Sequence, residues 1–90
     1  MHIRQDEALA LLSKWEDRKT ALQLKISHLG VLRELRGCTI GKLEGTAVEV
    51  VEGEVALKLD VQGAEFNGGD SPRPYLVCEF RNGDRYSFNT

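Results

Sequence analysis

The sequence predicts an α+β fold in which one N-terminal helix is followed by a strongly curved antiparallel sheet or small barrel of five or six strands. Apolar residues recur at helical spacing over about 6–18, and from 20 to 89 they alternate with polar residues. Glycines interrupt the alternating part, which indicates short, bent strands joined by tight turns. A chain of 90 residues is short enough for one core, so we expect a single domain, 1–90.

The helical segment has one apolar face and a plausible start signal. Asp6 can accept a hydrogen bond from a free amide of the first turn, so it is the predicted N-cap. The apolar face consists of Ala8, Leu11, Leu12 and Trp15. A helix of this length is marginal in isolation, so its apolar face has to pack on something. Packing on the sheet of the same chain is one interpretation. The other makes Leu11, Leu12 and Trp15 an interface with a second copy.

The β part divides at glycines and polar clusters into segments near 20–29, 31–36 with a continuation through 38–43, 46–51, 54–61, 75–80 and 85–89. The segment 54–61 alternates most regularly and predicts that Val55, Leu57, Leu59 and Val61 point inward. Two glycines and two prolines predict an irregular connection over 66–74. Asn82 and Gly83 predict a type I′ hairpin turn. A half-open or closed barrel with the helix over one mouth or edge is the first expectation. A plain sheet backed by the helix is the second.

Composition limits the classes of partner and compartment. The 14 acidic and 12 basic residues give a net charge of −2, which argues against a general nucleic-acid binder. The N-terminus shows no signal peptide and the chain has no apolar run long enough to span a membrane, so we expect a soluble, cytoplasmic protein. Cys38 and Cys78 lie in apolar stretches and are expected to be reduced and buried. A disulfide between them or a redox role is the alternative.

Residues that could carry chemistry are few. His2 lies near the terminus, where we expect disorder, and His28 ends the first strand of the β part. A nucleophilic pair of Cys78 with His28 would need the fold to bring the two together. The stretch 68–71 contains glycine and one aspartate but opens no helix, so it predicts a surface connection and not a phosphate or calcium site. We therefore expect no enzyme activity, no metal and no cofactor.

One constellation suits binding of single-stranded nucleic acid. Small barrels bind such strands with aromatic side chains in a basic groove. Arg81, Arg85 and Tyr86 fall in or beside the last hairpin and form the candidate nucleic-acid face. Glu79 and Asp84 lie in the same hairpin and oppose that interpretation.

Short motifs resemble a group of small bacterial hypothetical proteins of unknown function. The run 11–17 is similar to that group's Leu-Leu-x-Lys-Trp helix, which precedes a curved β domain. The stretch 66–70, followed by Pro72 and Pro74, resembles its aromatic-x-Gly-Asp loop, although this chain carries Gly-Gly there. Residues 82–85 match its last hairpin. The resemblance implies a fold and supplies no mechanism. The order of elements also resembles that of Sm-like proteins.

The first expectation for function is a non-enzymatic domain that forms a homo-oligomer or binds another protein, because open strand edges favour association. The alternative is weak binding of RNA or single-stranded DNA by an Sm-like barrel. A third possibility, an enzyme or ligand carrier that uses the barrel interior, conflicts with inward positions that are Leu, Val and Ile.

Overall fold

The computed structural model describes residues 1–70 and 73–90 and confirms the α+β class, with one helix and an antiparallel sheet. The helix is α1 (Gln5–Arg18). The strands are β1 (His2–Ile3), β2 (Leu22–His28), β3 (Val31–Glu44), β4 (Ala47–Glu52), β5 (Val55–Asp60), β6 (Glu65–Gly69), β7 (Tyr75–Glu79) and β8 (Arg85–Asn89). The prediction of five or six strands is wrong, because the described residues form eight.

The two strands that the sequence did not predict are β1 and β6, which pair with each other. His2 therefore lies in a short strand before the helix and not in a disordered terminus. The amide of Gly68 donates to the carbonyl oxygen of Met1 at 2.8 Å. A Cβ built on Gly68 would lie 3.0 Å from Ile3 Cδ1 and 3.0 Å from the carbonyl oxygen of Tyr75. Glycine here allows close packing of strands.

The predicted irregular stretch 66–74 is thus wrong in its first part. Most of β6 falls inside it, and β6 pairs antiparallel with β7 in a regular register. Residues 71 and 72 of that stretch lie outside the described residues. Considered alone, glycine indicates a break in regular structure, whereas in β6 it is the residue that makes room for a neighbouring strand.

The sheet is open, with strand order β1-β6-β7-β8-β2-β3-β4-β5. Its two ends are β1 and β5, which do not pair with each other in the described part of the chain. The long strand β3 pairs with β2 through its first half and with β4 through its second half. Gly37 has a φ of 71°, and the register shifts between Ile40 and Lys42. These irregularities bend β3, as the two glycine-interrupted segments predicted.

The helix packs on β3 and β6 of its own chain. Trp15 is 3% exposed, and its ring centroid lies 6.2 Å from that of Phe88 on β8. The helix begins one residue earlier than predicted, and its N-cap is Arg4, not Asp6. Glu7 accepts a hydrogen bond from the Arg4 amide at 3.2 Å, so its side chain reaches back to the backbone of the N-cap residue.

One hydrogen bond explains how the helix and the bent strand fit together. Beyond Cys38, β3 no longer has β2 beside it, so its backbone groups on that side need other partners. The carboxylate of Glu16 accepts a hydrogen bond from the Leu43 amide at 3.1 Å. The helix therefore covers the side of β3 that β2 leaves open.

The turn at Asn82 and Gly83 differs from the prediction. Of Asn82 and Gly83 only Gly83 has a positive φ, 95°, so this turn is not type I′. Phe80 and Asp84 close a three-residue loop through hydrogen bonds that include the Gly83 amide. The combination of two positive φ angles instead occurs at the end of the β2–β3 hairpin, where Leu29 has 51° and Gly30 has 77°.

Candidate functional site

An open apolar cavity of about 400 Å³ lies between the end of the β2–β3 hairpin and β5. We call it the β5 groove. Its apolar lining residues are Ile26, Leu29, Val31, Leu57, Leu59 and Tyr86. Two polar residues, His28 and Arg33, also line it. The lining is mostly apolar, as in many sites that bind other molecules.

The hairpin side of the groove is an extension of the core-facing side of the sheet. In the β2–β3 register, Leu24 pairs with Leu35, and both are buried. Every second residue of a strand lies on the same face of the sheet. Val31 is four residues from Leu35 in β3, so it also lies on the core-facing side. Val31 is nonetheless 67% exposed, and Leu29 in the turn is 80% exposed. The apolar face of the hairpin therefore continues past the core, and its outermost side chains are exposed to solvent.

The other side of the groove is formed by β5. The alternation of its residues predicts that four apolar side chains, including that of Val61 after the strand, point inward. Leu59 and Val61 are buried as predicted, but Leu57 is only half-buried and Val55 is 52% exposed. Val55 lies on the same side of the strand as Leu57 and Leu59, as predicted, but it is not buried at this end of β5. No residue of β4 is among those that line the groove. The groove therefore lies beside the unpaired edge of β5.

A hydrogen-bonded cluster fixes the end of the hairpin. His28 Nδ1 lies 2.6 Å from Asp84 Oδ2, and the Leu29 amide donates to Asp84 Oδ1 at 3.3 Å. Hydrogen bonding to His28 is the main cause that lowers the pKa of Asp84. Asp84 also accepts from the Asn82 side chain at 3.3 Å. These contacts link the end of the β2–β3 hairpin to the turn that precedes β8.

The two cysteines are free and buried, as predicted. Burial raises the pKa of both thiols, and that of Cys78 rises to about 12. A thiol with such a pKa stays protonated at neutral pH and is a poor nucleophile. The structure does not support a pair of Cys78 with His28, because His28 is bound to Asp84 on the surface.

The candidate nucleic-acid face does not come together as one surface. Arg85 lies with Lys25, Ser27, Leu32 and Ser87 on the outer side of the sheet. Tyr86 follows it in β8 and therefore points to the opposite side, where its ring packs edge-on against another aromatic ring, that of Phe80, at 5.1 Å. Arg81 is an exposed residue of the turn.

The helix residues predicted as an interface lie in or against the core of the chain. Leu12 is fully buried and Trp15 nearly so, while Leu11 is partly buried against the same cluster. These side chains pack within their own chain. This agrees with the interpretation that the helix packs on its own sheet and not on a second copy.

Other kinds of site have no support in residues 1–70 and 73–90. No three or more His, Cys, Asp or Glu residues cluster closely enough there to hold a metal ion. The one helix in that part is too short and too polar to cross a membrane. Comparisons of the chain with protein-family models, curated proteins and solved structures each found no match. The resemblance to small bacterial proteins therefore stays a prediction.

The sequence does contain a signal for the groove, and it is separate from the alternation of apolar residues. Apolar side chains flank Gly30 at positions 29, 31 and 32, in a turn where polar residues usually occur. An apolar turn is a reason to look for an exposed binding surface.

Proposed function

We propose that this protein is a non-enzymatic domain that associates with a second copy of itself through the β5 groove. The observation that carries the proposal is the position of exposed apolar side chains next to an unpaired strand edge. Val31, Leu29 and Val55 are more than half exposed and lie on or beside the groove. The edge of β5 next to them has no partner strand in the described chain.

The apolar part of the groove would supply free energy for association. Full burial of a valine or leucine side chain contributes roughly 1.5–3 kcal/mol. For three side chains that are about two-thirds exposed, the total is roughly 3–6 kcal/mol in each copy. That amount offsets only part of the free energy that two chains lose in translational and rotational freedom when they associate. Further contacts along the strand edge are therefore needed.

The strand edge would supply those further contacts. An exposed edge presents a row of free N–H and C=O groups, which pair readily with another strand. The opposite end of the sheet, β1, has only two residues and therefore offers a much shorter row. The six residues of β5 make it the longer of the two open edges.

The proposal is tested by two substitutions on neighbouring residues of the hairpin. Val31 and Leu32 are both 67% exposed, but only Val31 lines the groove, while Leu32 is on the outer side of the sheet. We expect Val31→Thr to weaken association, because it places a hydroxyl in the buried interface. Leu32→Thr is the matched control and should leave association unchanged. Sedimentation equilibrium over a wide range of concentration measures both.

Two results would contradict the proposal. A chain that stays monomeric up to the highest soluble concentration does not associate with itself. Equal association of the Val31→Thr variant and the unchanged protein would show that the groove is not the contact surface. Circular dichroism of each variant establishes that the fold is retained.

A further inference from the structure

The hydrogen-bonding groups of β5 that are free can be identified from its pairing with β4. The Val61 amide donates to the Thr46 carbonyl oxygen at 3.0 Å, one step beyond the pair Ala47–Asp60 in the same register. Hydrogen-bonded and non-hydrogen-bonded pairs alternate along an antiparallel ladder. Val55, Leu57 and Leu59 therefore direct their amides to β4, whereas those of Ala56, Lys58 and Asp60 point away from it.

From this edge we infer the register of the proposed self-association: two copies of β5 pair antiparallel about a twofold axis at Ala56. The inference rests on the proposed function and specifies its geometry. In this register Ala56 lies opposite Ala56 of the second copy, and the two residues exchange both N–H···O bonds through groups that point away from β4. Such an interface is isologous and closes after two copies, so it does not extend into a fibre.

Charge complementarity favours this register. The pairing about Ala56 places Lys58 of each copy opposite Glu54 of the other, which gives two ion pairs of opposite charge. In the described part of the chain neither Glu54 nor Lys58 forms an ion pair or a side-chain hydrogen bond. Both residues are exposed, and although Lys58 lies opposite Glu49 of β4, the two form no ion pair, so Lys58 can pair with Glu54 of a second copy.

Two competing symmetric registers bring like charges together: a twofold axis at Leu57 places Glu54 opposite Asp60 at both ends, and an axis at Lys58 places two lysines opposite each other. An axis at Leu59 would place Lys58 opposite Asp60, but the Asp60 carboxylate already accepts hydrogen bonds from Thr46 and Gln62 of its own chain. An axis at Val55 lies at the first residue of the strand and therefore leaves most of the β5 edge unpaired. A register shifted by one residue would turn the apolar side chains of the second copy to the outer face of the sheet. The free amides of the second copy would then no longer point towards the first copy.

The same register continues the apolar surface of the groove. Residues 55 and 57 lie on the groove side of β5, and the twofold axis at Ala56 places Val55 of one copy opposite Leu57 of the other. Four apolar side chains then form a row along the paired strands. This row adjoins Val31 and Leu29 on the hairpins, so the exposed apolar side chains of both copies are covered together.

Charge reversal tests the register. In Glu54→Lys or Lys58→Glu, each interface contains two pairs of like charge, and we expect association to weaken about tenfold at low salt. The double variant Glu54→Lys/Lys58→Glu restores opposite charges and should recover most of the affinity. Sedimentation equilibrium at low and high salt measures the effect, which salt should reduce.

A cross-linking experiment tests the axis directly. Opposed residues of a hydrogen-bonded pair have Cα atoms about 5.5 Å apart, a distance that a disulfide can span. Under mild oxidation Ala56→Cys should therefore form a disulfide-linked dimer. Lys58→Cys is the matched control, because the two copies of position 58 lie four residues apart along the strand direction and should not link. The native cysteines are buried and do not interfere.

The outcomes separate the register from the proposed function. Loss of affinity in both single variants, recovery in the double variant and cross-linking only at position 56 support the register. A dimer that is indifferent to charge reversal, or that links at position 58 and not at 56, overturns the register and leaves self-association standing. A protein that is monomeric at every concentration overturns both.

Discussion

At the scale of single residues, Leu29 combines two features that conflict with stability of the isolated chain. Its φ of 51° lies in the left-handed region, which costs an L-residue other than glycine or asparagine roughly 1–2 kcal/mol. Its side chain is also 80% exposed. Asparagine followed by glycine is the usual sequence for such a turn. A strained, exposed leucine at the rim of the β5 groove suggests a role in binding, for which the turn gives up some stability.

We predict that Leu29→Asn raises the free energy of unfolding of the monomer by about 0.5–1 kcal/mol, because asparagine tolerates the left-handed conformation. The same substitution should weaken self-association, because it removes an apolar side chain from the groove. Urea unfolding at low protein concentration and sedimentation at high concentration measure the two effects separately. Leu32→Asn is the control. It should neither raise the free energy of unfolding nor weaken self-association. A Leu29→Asn monomer that is less stable than the unchanged protein would contradict the claim that the backbone at Leu29 is strained.

At the scale of elements, the sequence predicted those that depend on their own pattern of apolar residues. The helix face through Leu12 and Trp15 and the alternation of Leu57 and Leu59 were recognised, because local spacing determines which side is buried. Strand β6 was not recognised, because its glycines indicate a loop when only the chain itself is considered. The contact that makes glycine favourable at position 68 comes from β1, more than 60 residues earlier.

We predict that Gly68→Ala lowers the free energy of unfolding by about 1–3 kcal/mol, because the added methyl group would press on the Tyr75 carbonyl oxygen and the Ile3 side chain. Gly69→Ala is the matched control. A Cβ there meets only the Tyr75 ring, at an ordinary contact distance of 3.4 Å, so its effect should be near zero. Urea denaturation of the two variants measures the difference. Equal stabilities would show that β1 does not pack closely on β6.

At the scale of the whole molecule, the division between core and groove could not be predicted from the sequence. Alternation marked Val55 and Val61 alike as inward residues, yet Val61 is fully buried and Val55 is half exposed. The difference arises from where the bent strand β3 places β5 relative to the hairpin, and that depends on long-range pairing. The sequence therefore indicates which faces are apolar, while the fold decides which of them remain uncovered.

The core of the whole molecule contains no buried polar or charged residue among the positions that the structure describes. Its ionisable groups are therefore the two buried thiols, of which Cys78 is the more perturbed. Burial raises the pKa of Cys78 from an ordinary value of 9.0 to about 12. Below pH 9 the thiol is protonated in both the folded and the unfolded chain, so its contribution to stability is fully present. As the pH rises above 9 the unfolded chain loses this proton first, and the folded state loses stability.

We predict that the free energy of unfolding falls between pH 8 and about pH 10.5, with Cys78 contributing about 2 kcal/mol of that loss. Cys78→Ala removes the ionisable group and should show a smaller fall over the same range, even if its stability at pH 8 is lower. Burial is the largest cause that raises the pKa of Tyr86, and the charge of Cys78 is a smaller one, so most of the Tyr86 contribution is common to both proteins and cancels in the comparison. Urea denaturation under reducing conditions at several pH values measures the slopes. Identical slopes for the two proteins would mean that Cys78 is accessible to water.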